Sequence, residues 1–122
     1  MAGDFQAEWT SWFRKELREL PPDQQARVAR RVRIFEQKGW NASAADLDIK
    51  RLDGEIWELR VHGKGPAYRI LFFPDPENAQ RVVVLVNCVK KALMKKSKVS
   101  RAEIERADSR RLEWLDNRKK ES

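Results

Sequence analysis

Trp9, Trp12, Phe13, Leu17 and Leu20 recur at i, i+3, i+4, i+8 and i+11, the spacing that lines one face of an amphipathic helix. That stripe predicts a first helix over residues 8–20. Pro21 and Pro22 stop it, because proline has no amide hydrogen and restricts the residue before it, yet Pro22 is well suited to open a second helix. The second helix is predicted over 22–38, with Val28, Ala29, Val32 and Phe35 facing inward and Gly39 ending it in a left-handed turn. A link this short folds the two into a helix hairpin.

Residues 41–48 are small and polar and read as a connecting loop, after which the periodicity switches to two-residue alternation. Residues 56–62 and 67–73 are two predicted strands, joined through Gly63, Lys64, Gly65 and Pro66. A turn written in Pro74, Asp75, Pro76 and Asn78 leads to a Val-rich strand over 81–88, whose unbroken apolar run predicts a central position buried on both faces. Ser100 and Glu103 have the spacing of a capping box and open a last helix to about residue 117, with Ile104, Ala107, Leu112, Trp114 and Leu115 as its apolar set. Residues 118–122 are expected to fray. The resulting class is α+β: an N-terminal helix hairpin packed on a small, mostly antiparallel sheet, with a C-terminal helix.

The register of the strand hairpin follows from its large side chains, because a one-residue slip sends them to opposite faces. Placing Arg60 opposite Arg69 sets Leu59 against Ile70, Trp57 against Phe72 and Val61 against Tyr68, an apolar face for the helices. The other face then carries Glu58, Arg60, His62 and Arg69, with Leu71 as its one large apolar exception. Two arginines side by side repel, so an anion belongs between them. A phosphate is one candidate. Against it, Glu58 lies two residues from Arg60 on the same strand face and could neutralise that arginine, and surface arginines often have no ligand at all.

The 122 residues make one domain, 1–122, and Lys+Arg of 26 against Asp+Glu of 19 leave a formal net charge of +7, which favours polyanionic partners. One Cys and one His exclude an internal disulfide and argue against zinc. A Gly-rich phosphate loop, a Ser-His-Asp set and clustered carboxylates are all missing from the sequence, so any nucleic-acid cleavage is expected to proceed without metal or other cofactor. A lone Cys88 fits a reducing compartment. The apolar run 82–86 is too short to span a bilayer and the first residues lack a signal-peptide pattern, so a soluble cytoplasmic protein is expected. Lys90 and Lys91 leave the central strand, and Lys64 lies in the hairpin turn. Lys95, Lys96, Lys98 and Arg101 extend this into a footprint for a nucleic-acid backbone. The tryptophans fall mainly on predicted apolar faces and are expected in the core.

Residues 52–60, Leu-Asp-Gly-Glu-Ile-Trp-Glu-Leu-Arg, together with Tyr68-Arg69-Ile70-Leu71-Phe72, Val89-Lys90-Lys91 and the later Arg101-Ala102-Glu103-Ile104-Glu105-Arg106-Ala107, resemble the RelE/HigB superfamily of toxins from type II toxin-antitoxin pairs. They are most similar to its phage-derived HigB-like branch. The resemblance implies a toxin that cuts messenger RNA on the ribosome, is silenced by a helix-turn-helix antitoxin, and is held with it in a hetero-oligomer. It implies attack of a ribose 2′-hydroxyl on the adjacent phosphodiester, with basic residues stabilising the added charge. The family's active positions fall on Arg60, Arg69 and Lys91, with Arg69 gripping the phosphate, Arg60 orienting the 2′-hydroxyl region and Lys91 supporting the leaving oxygen. Many members carry a Tyr or His near the start of the terminal helix, where this chain has Lys95, Lys96 and Ser97, leaving His62 as the reserve acid or base. Two other readings stay open: a non-catalytic member that binds antitoxin or RNA, and a ParE-like inhibitor of DNA gyrase. The cleavage reading requires both guanidinium groups to point outward, free of a carboxylate clamp.

Overall fold

The computed structural model describes residues 5–46, 49–91 and 98–121, with only the backbone of 41–46 and 91. β1 (Gln6–Trp9) leads into α1 (Ser11–Arg18) and α2 (Pro22–Asp46). β2 (Ile49–Asp53), β3 (Ile56–Val61), β4 (Ala67–Pro74) and β5 (Val82–Lys91) follow, and then α3 (Arg101–Glu121). The strands form one sheet in the order β1-β5-β4-β3-β2, antiparallel except where β1 runs alongside β5. This is the expected α+β class.

The amino-terminal segment departs from expectation, because residues 6–9 are a strand and not the start of a helix. Thr10 makes the change of direction: its backbone is extended, and its Oγ1 donates to the Leu85 carbonyl at 2.6 Å and accepts from the Phe13 amide at 3.3 Å. Such a cap satisfies an amide that the helix itself leaves open. Trp9 still meets Phe13, edge to face with ring centroids 5.4 Å apart, so the apolar stripe reports a real contact made from the end of a strand. On the open edge of β1, the Ala7 amide donates to Glu36 Oε2 at 2.9 Å.

Gly39 breaks α2 as expected, with φ 71° and ψ −169°, values that glycine tolerates best. The helix then resumes to Asp46, where a loop was expected. Ala42, Ala44 and Ala45 are the strongest of helix formers and outweigh the neighbouring polar residues. β2 is a strand the periodicity did not separate from the sheet's start. It pairs with β3 through a turn at Gly54, whose φ is 54°.

Helices cover both faces of the sheet, a correction to the single apolar face inferred from the hairpin. α1 and α2 bury Leu59, Val61, Tyr68, Ile70, Phe72, Val83, Leu85 and Cys88 together with their own Phe13, Leu17, Val28, Val32 and Phe35. α3 packs Ile104, Ala107 and Trp114 against Ile56, Leu71, Phe73, Val84 and Val86 on the opposite face. Leu71 is therefore no exception: it belongs to a second core. Each fully buried side chain of this kind contributes about 1.5–3 kcal/mol, so two apolar layers hold the sheet in place. The β4–β5 ladder shifts between Leu71 and Phe72, and Val86 and the neighbouring Asn87 both meet the α3 side. β5 is an interior strand buried on both faces, and β4 occupies the middle position.

All five tryptophans are half-buried and pack against one core or the other. Ser100 caps α3 by accepting from the Glu103 amide at 3.2 Å. The helix continues to Glu121, through residues expected to fray, because Arg118 holds buried Asp75 at 2.5 Å and lies over the Trp114 ring. No helix among the described residues is long and apolar enough to cross a membrane.

Candidate functional site

The hairpin register is the one the side chains dictate: Arg60 faces Arg69, with Leu59 opposite Ile70, Trp57 opposite Phe72 and Val61 opposite Tyr68. The helix hairpin fixes this ribbon from one side. Arg31 Nε on α2 donates to the Arg60 carbonyl at 3.1 Å, and Arg27 Nη2 donates to the Pro66 carbonyl at 2.7 Å. Tyr68 turns its hydroxyl to Gln24 and lies beneath the Arg27 guanidinium.

Across the pair, the intervening anion is the protein's own. Glu58 is buried, with a side chain 4% exposed; its Oε2 accepts from Arg60 Nε at 3.0 Å, and its Oε1 lies 3.5 Å from Arg69 Nε. Arg69 is also buried, and its Nη1 donates to the Tyr68 carbonyl. The open two-arginine grip expected from the register is thus not formed, because a carboxylate between two guanidinium groups relieves their repulsion directly. The condition that both arginines point outward and unclamped is not met, and of the two only Arg60 keeps an exposed guanidinium. Arg60 differs from Arg69. Its side chain is 37% exposed, and its contact with Glu58 is made through Nε, while its terminal nitrogens make no hydrogen bond to any described residue. A guanidinium held at Nε with its outer fork free is suited to a two-point contact with a phosphate.

The remaining candidate residues are dispersed. His62 follows the end of β3 and Lys64 sits at the hairpin turn; both are exposed. Lys90 pairs with Tyr68 in the ladder. Cys88 lies in the helix-hairpin core and Val89 packs with the α3 core, so strand alternation returns Lys90 to the helix-hairpin face, away from Arg60. Lys91 lies opposite Ala67 at the end of β5, and its side chain falls outside the described residues, as do Lys95 and Lys96 entirely. Lys98 is exposed. Arg101, at the start of α3, is bound to Asp53 and lies 3.6 Å from Glu105. The hydrogen bond it donates to Asp53 holds its pKa above the usual arginine value.

Arg101 instead borders a cleft of about 390 Å³ between α3 and the β2–β3 turn, with Asp53, Glu55, Glu105 and Asp108 also on its walls. Those carboxylates make it a poor receptor for a polyanion. A polar network with no sequence signal beyond one amide in a valine run fastens α3 to β5. Asn87, fully buried, donates to the Glu103 carbonyl and accepts from Arg110 Nη1 at 2.8 Å. Arg110 also reaches the Val86 carbonyl and Glu16 Oε2. Glu16 accepts the Cys88 amide at 2.8 Å, where β1 has ended and no strand partner remains on that edge.

The profile of the phage derived protein Gp49-like family (DUF891) matches residues 15–112, which takes in the end of α1, all of α2, the strands β2 to β5 and the first half of α3. The chain belongs to this family. Gp49-like proteins are RelE/HigB-like toxins, and the general assignment to a toxin of a toxin-antitoxin pair rests on that membership. Comparison with curated proteins and with solved structures returns no match.

Proposed function

We propose that this Gp49-like chain is a cytoplasmic mRNA endoribonuclease of the HigB-like kind. It acts on the ribosome without a metal and is silenced in a hetero-oligomer with a helix-turn-helix antitoxin. The observation that carries the reading is Arg60, a half-exposed guanidinium fixed at Nε with both terminal nitrogens unengaged by described residues. In this role Arg60 binds the two non-bridging oxygens of the scissile phosphodiester. The ribose 2′-hydroxyl attacks phosphorus, the P–O5′ bond breaks, and the products are a 2′,3′-cyclic phosphate and a 5′-hydroxyl. The 2′-proton leaves the attacking oxygen and a proton reaches the departing one, so the reaction is neutral overall. Arginine remains protonated throughout, so Arg60 stabilises the charge that builds on the phosphoryl oxygens. Lys91 is the proposed partner of the departing oxygen, and His62 the reserve acid or base. Arg69 is reassigned from gripping phosphate to balancing Glu58.

Expression of the chain without its antitoxin tests the reading. The expected result is growth arrest in which protein synthesis stops first and transcripts are cut within codons. Arrest led by DNA synthesis would move the assignment to gyrase inhibition, and arrest with intact transcripts would leave a binding protein.

A further inference from the structure

Glu58 is the one carboxylate on the arginine-bearing face of β3, and it is placed where a polyanion-binding surface should least tolerate negative charge. Its burial shows that it is not a solvated counter-ion: the side chain is 4% exposed, lies beside fully buried Leu71 in the β3–β4 ladder, and faces Lys50 on β2 across the other. Its two oxygens are divided between two guanidinium groups, each approached through Nε. An arginine held at Nε loses rotation of its whole planar fork, so the direction of its terminal nitrogens is set before any substrate arrives. Arg69 supplies a second positive charge beside Glu58 without itself reaching the surface.

We propose that Glu58 is a positioning residue: through Arg60 Nε it aims the Arg60 guanidinium at the scissile phosphate, and it does not touch the RNA. This rests on the functional reading above. A carboxylate near a phosphate opposes phosphate binding by simple charge, so its retention is useful only if orientation outweighs repulsion in the transition state. Removing it should therefore separate binding from turnover.

The test is single-turnover and steady-state cleavage by the full chain on programmed ribosomes, comparing Glu58→Gln, Arg60→Lys and the double variant, each first checked for cooperative thermal unfolding. Glu58→Gln is expected to lower kcat at least tenfold while KM stays the same or falls. Arg60→Lys keeps the charge but has neither an Nε to dock nor a fork for two-point contact, so it should lower kcat at least as far as Glu58→Gln and, unlike Glu58→Gln, also raise KM. The double variant should be no worse than Arg60→Lys, because both changes break one linkage. Should Glu58→Gln unfold, Arg60→Lys and the Arg60 Nε–H NMR signal of the parent protein carry the test, since a docked Nε–H exchanges slowly with solvent. Full kcat in Glu58→Gln, losses that multiply in the double variant, or a fast-exchanging Arg60 Nε–H would each overturn the proposal. Full activity in Arg60→Ala would instead remove the functional reading beneath it.

Discussion

Glu58 shows at the level of single residues what a sequence conveys and what it does not. Alternation of large and small side chains narrowed the pairing to registers of one parity, those that collect Trp57, Leu59, Val61, Tyr68, Ile70 and Phe72 on one face, and the register that sets Arg60 opposite Arg69 is among them. Whether a phosphate or Glu58 lies between the arginines depends on side-chain torsions and depth, which spacing does not encode. Arg69 proved buried for a related reason: it sits between Tyr68 and Ile70 on β4 and opposite Val89 on β5, in a sheet covered on both sides. Breaking a buried pair leaves an uncompensated charge, so Arg69→Met is expected to destabilise the fold by about 3–5 kcal/mol, read as a lower urea midpoint. An unchanged midpoint would mean that Glu58 needs only Arg60. Cys88 offers a second check at this scale. Burial, reinforced by the Glu16 carboxylate, pushes its thiol up to about 12, so at pH 8 it should resist a thiol reagent until urea unfolds the chain. Rapid labelling of the native protein would place that strand edge in solvent.

Among the elements, the three long signals were legible: the proline stop before α2, the left-handed Gly39 and the Ser100 cap of α3 all fall where the sequence puts them. β1 was not, because four residues with a tryptophan at their end fit a helical stripe as well as a parallel strand, and only Leu85 and Val82, some seventy residues away, decide between them. The same distance hid α3's place on the second face. The β3–β4 turn is fixed by a close approach that composition does not reveal: a Cβ on Gly63 would sit 2.6 Å from Arg27 Cδ and Nη1, and its φ of 147° disfavours any side chain. Gly63→Ala should cost about 1–3 kcal/mol, and Arg27→Ala in the same chain should recover the steric part of it. Equal stability of Gly63→Ala and the parent would refute the packing described. At the far end of the sheet, burial tends to raise the Asp75 carboxyl, but the hydrogen bond from Arg118, that from the Glu77 amide and the Arg118 charge together hold it below the usual range. A lowered native pKa stabilises the fold above the unfolded value near 3.9 and loses that contribution as pH falls through the native one. Asp75→Asn should therefore flatten the melting temperature against pH below about pH 4 while leaving its slope at neutral pH alone.

On the scale of the whole molecule, the +7 charge is unevenly placed. α3 pairs much of its charge internally, with Arg106 on Glu103, Arg111 on Asp108 and Lys120 on Asp116. Lys15, Arg18, Arg30 and Arg33 on α1 and α2 are exposed and make no ion pair with described residues. Net charge indicated a polyanionic partner from composition alone, but it did not say which surface carries the excess; the ion pairs of α3 neutralise much of that helix, while Arg60 lies on the sheet face that α3 only partly covers. The sheet between these layers carries one arginine aimed by one carboxylate, and the functional account depends on that aim. Its most direct measurement is cleavage of a defined mRNA by purified protein on ribosomes, with the new ends identified chemically. The account predicts a 2′,3′-cyclic phosphate and a 5′-hydroxyl from the parent chain, and loss of at least a hundredfold in rate for a folded Arg60→Ala variant. Undiminished cleavage by that variant, or ends of any other chemistry, would contradict it.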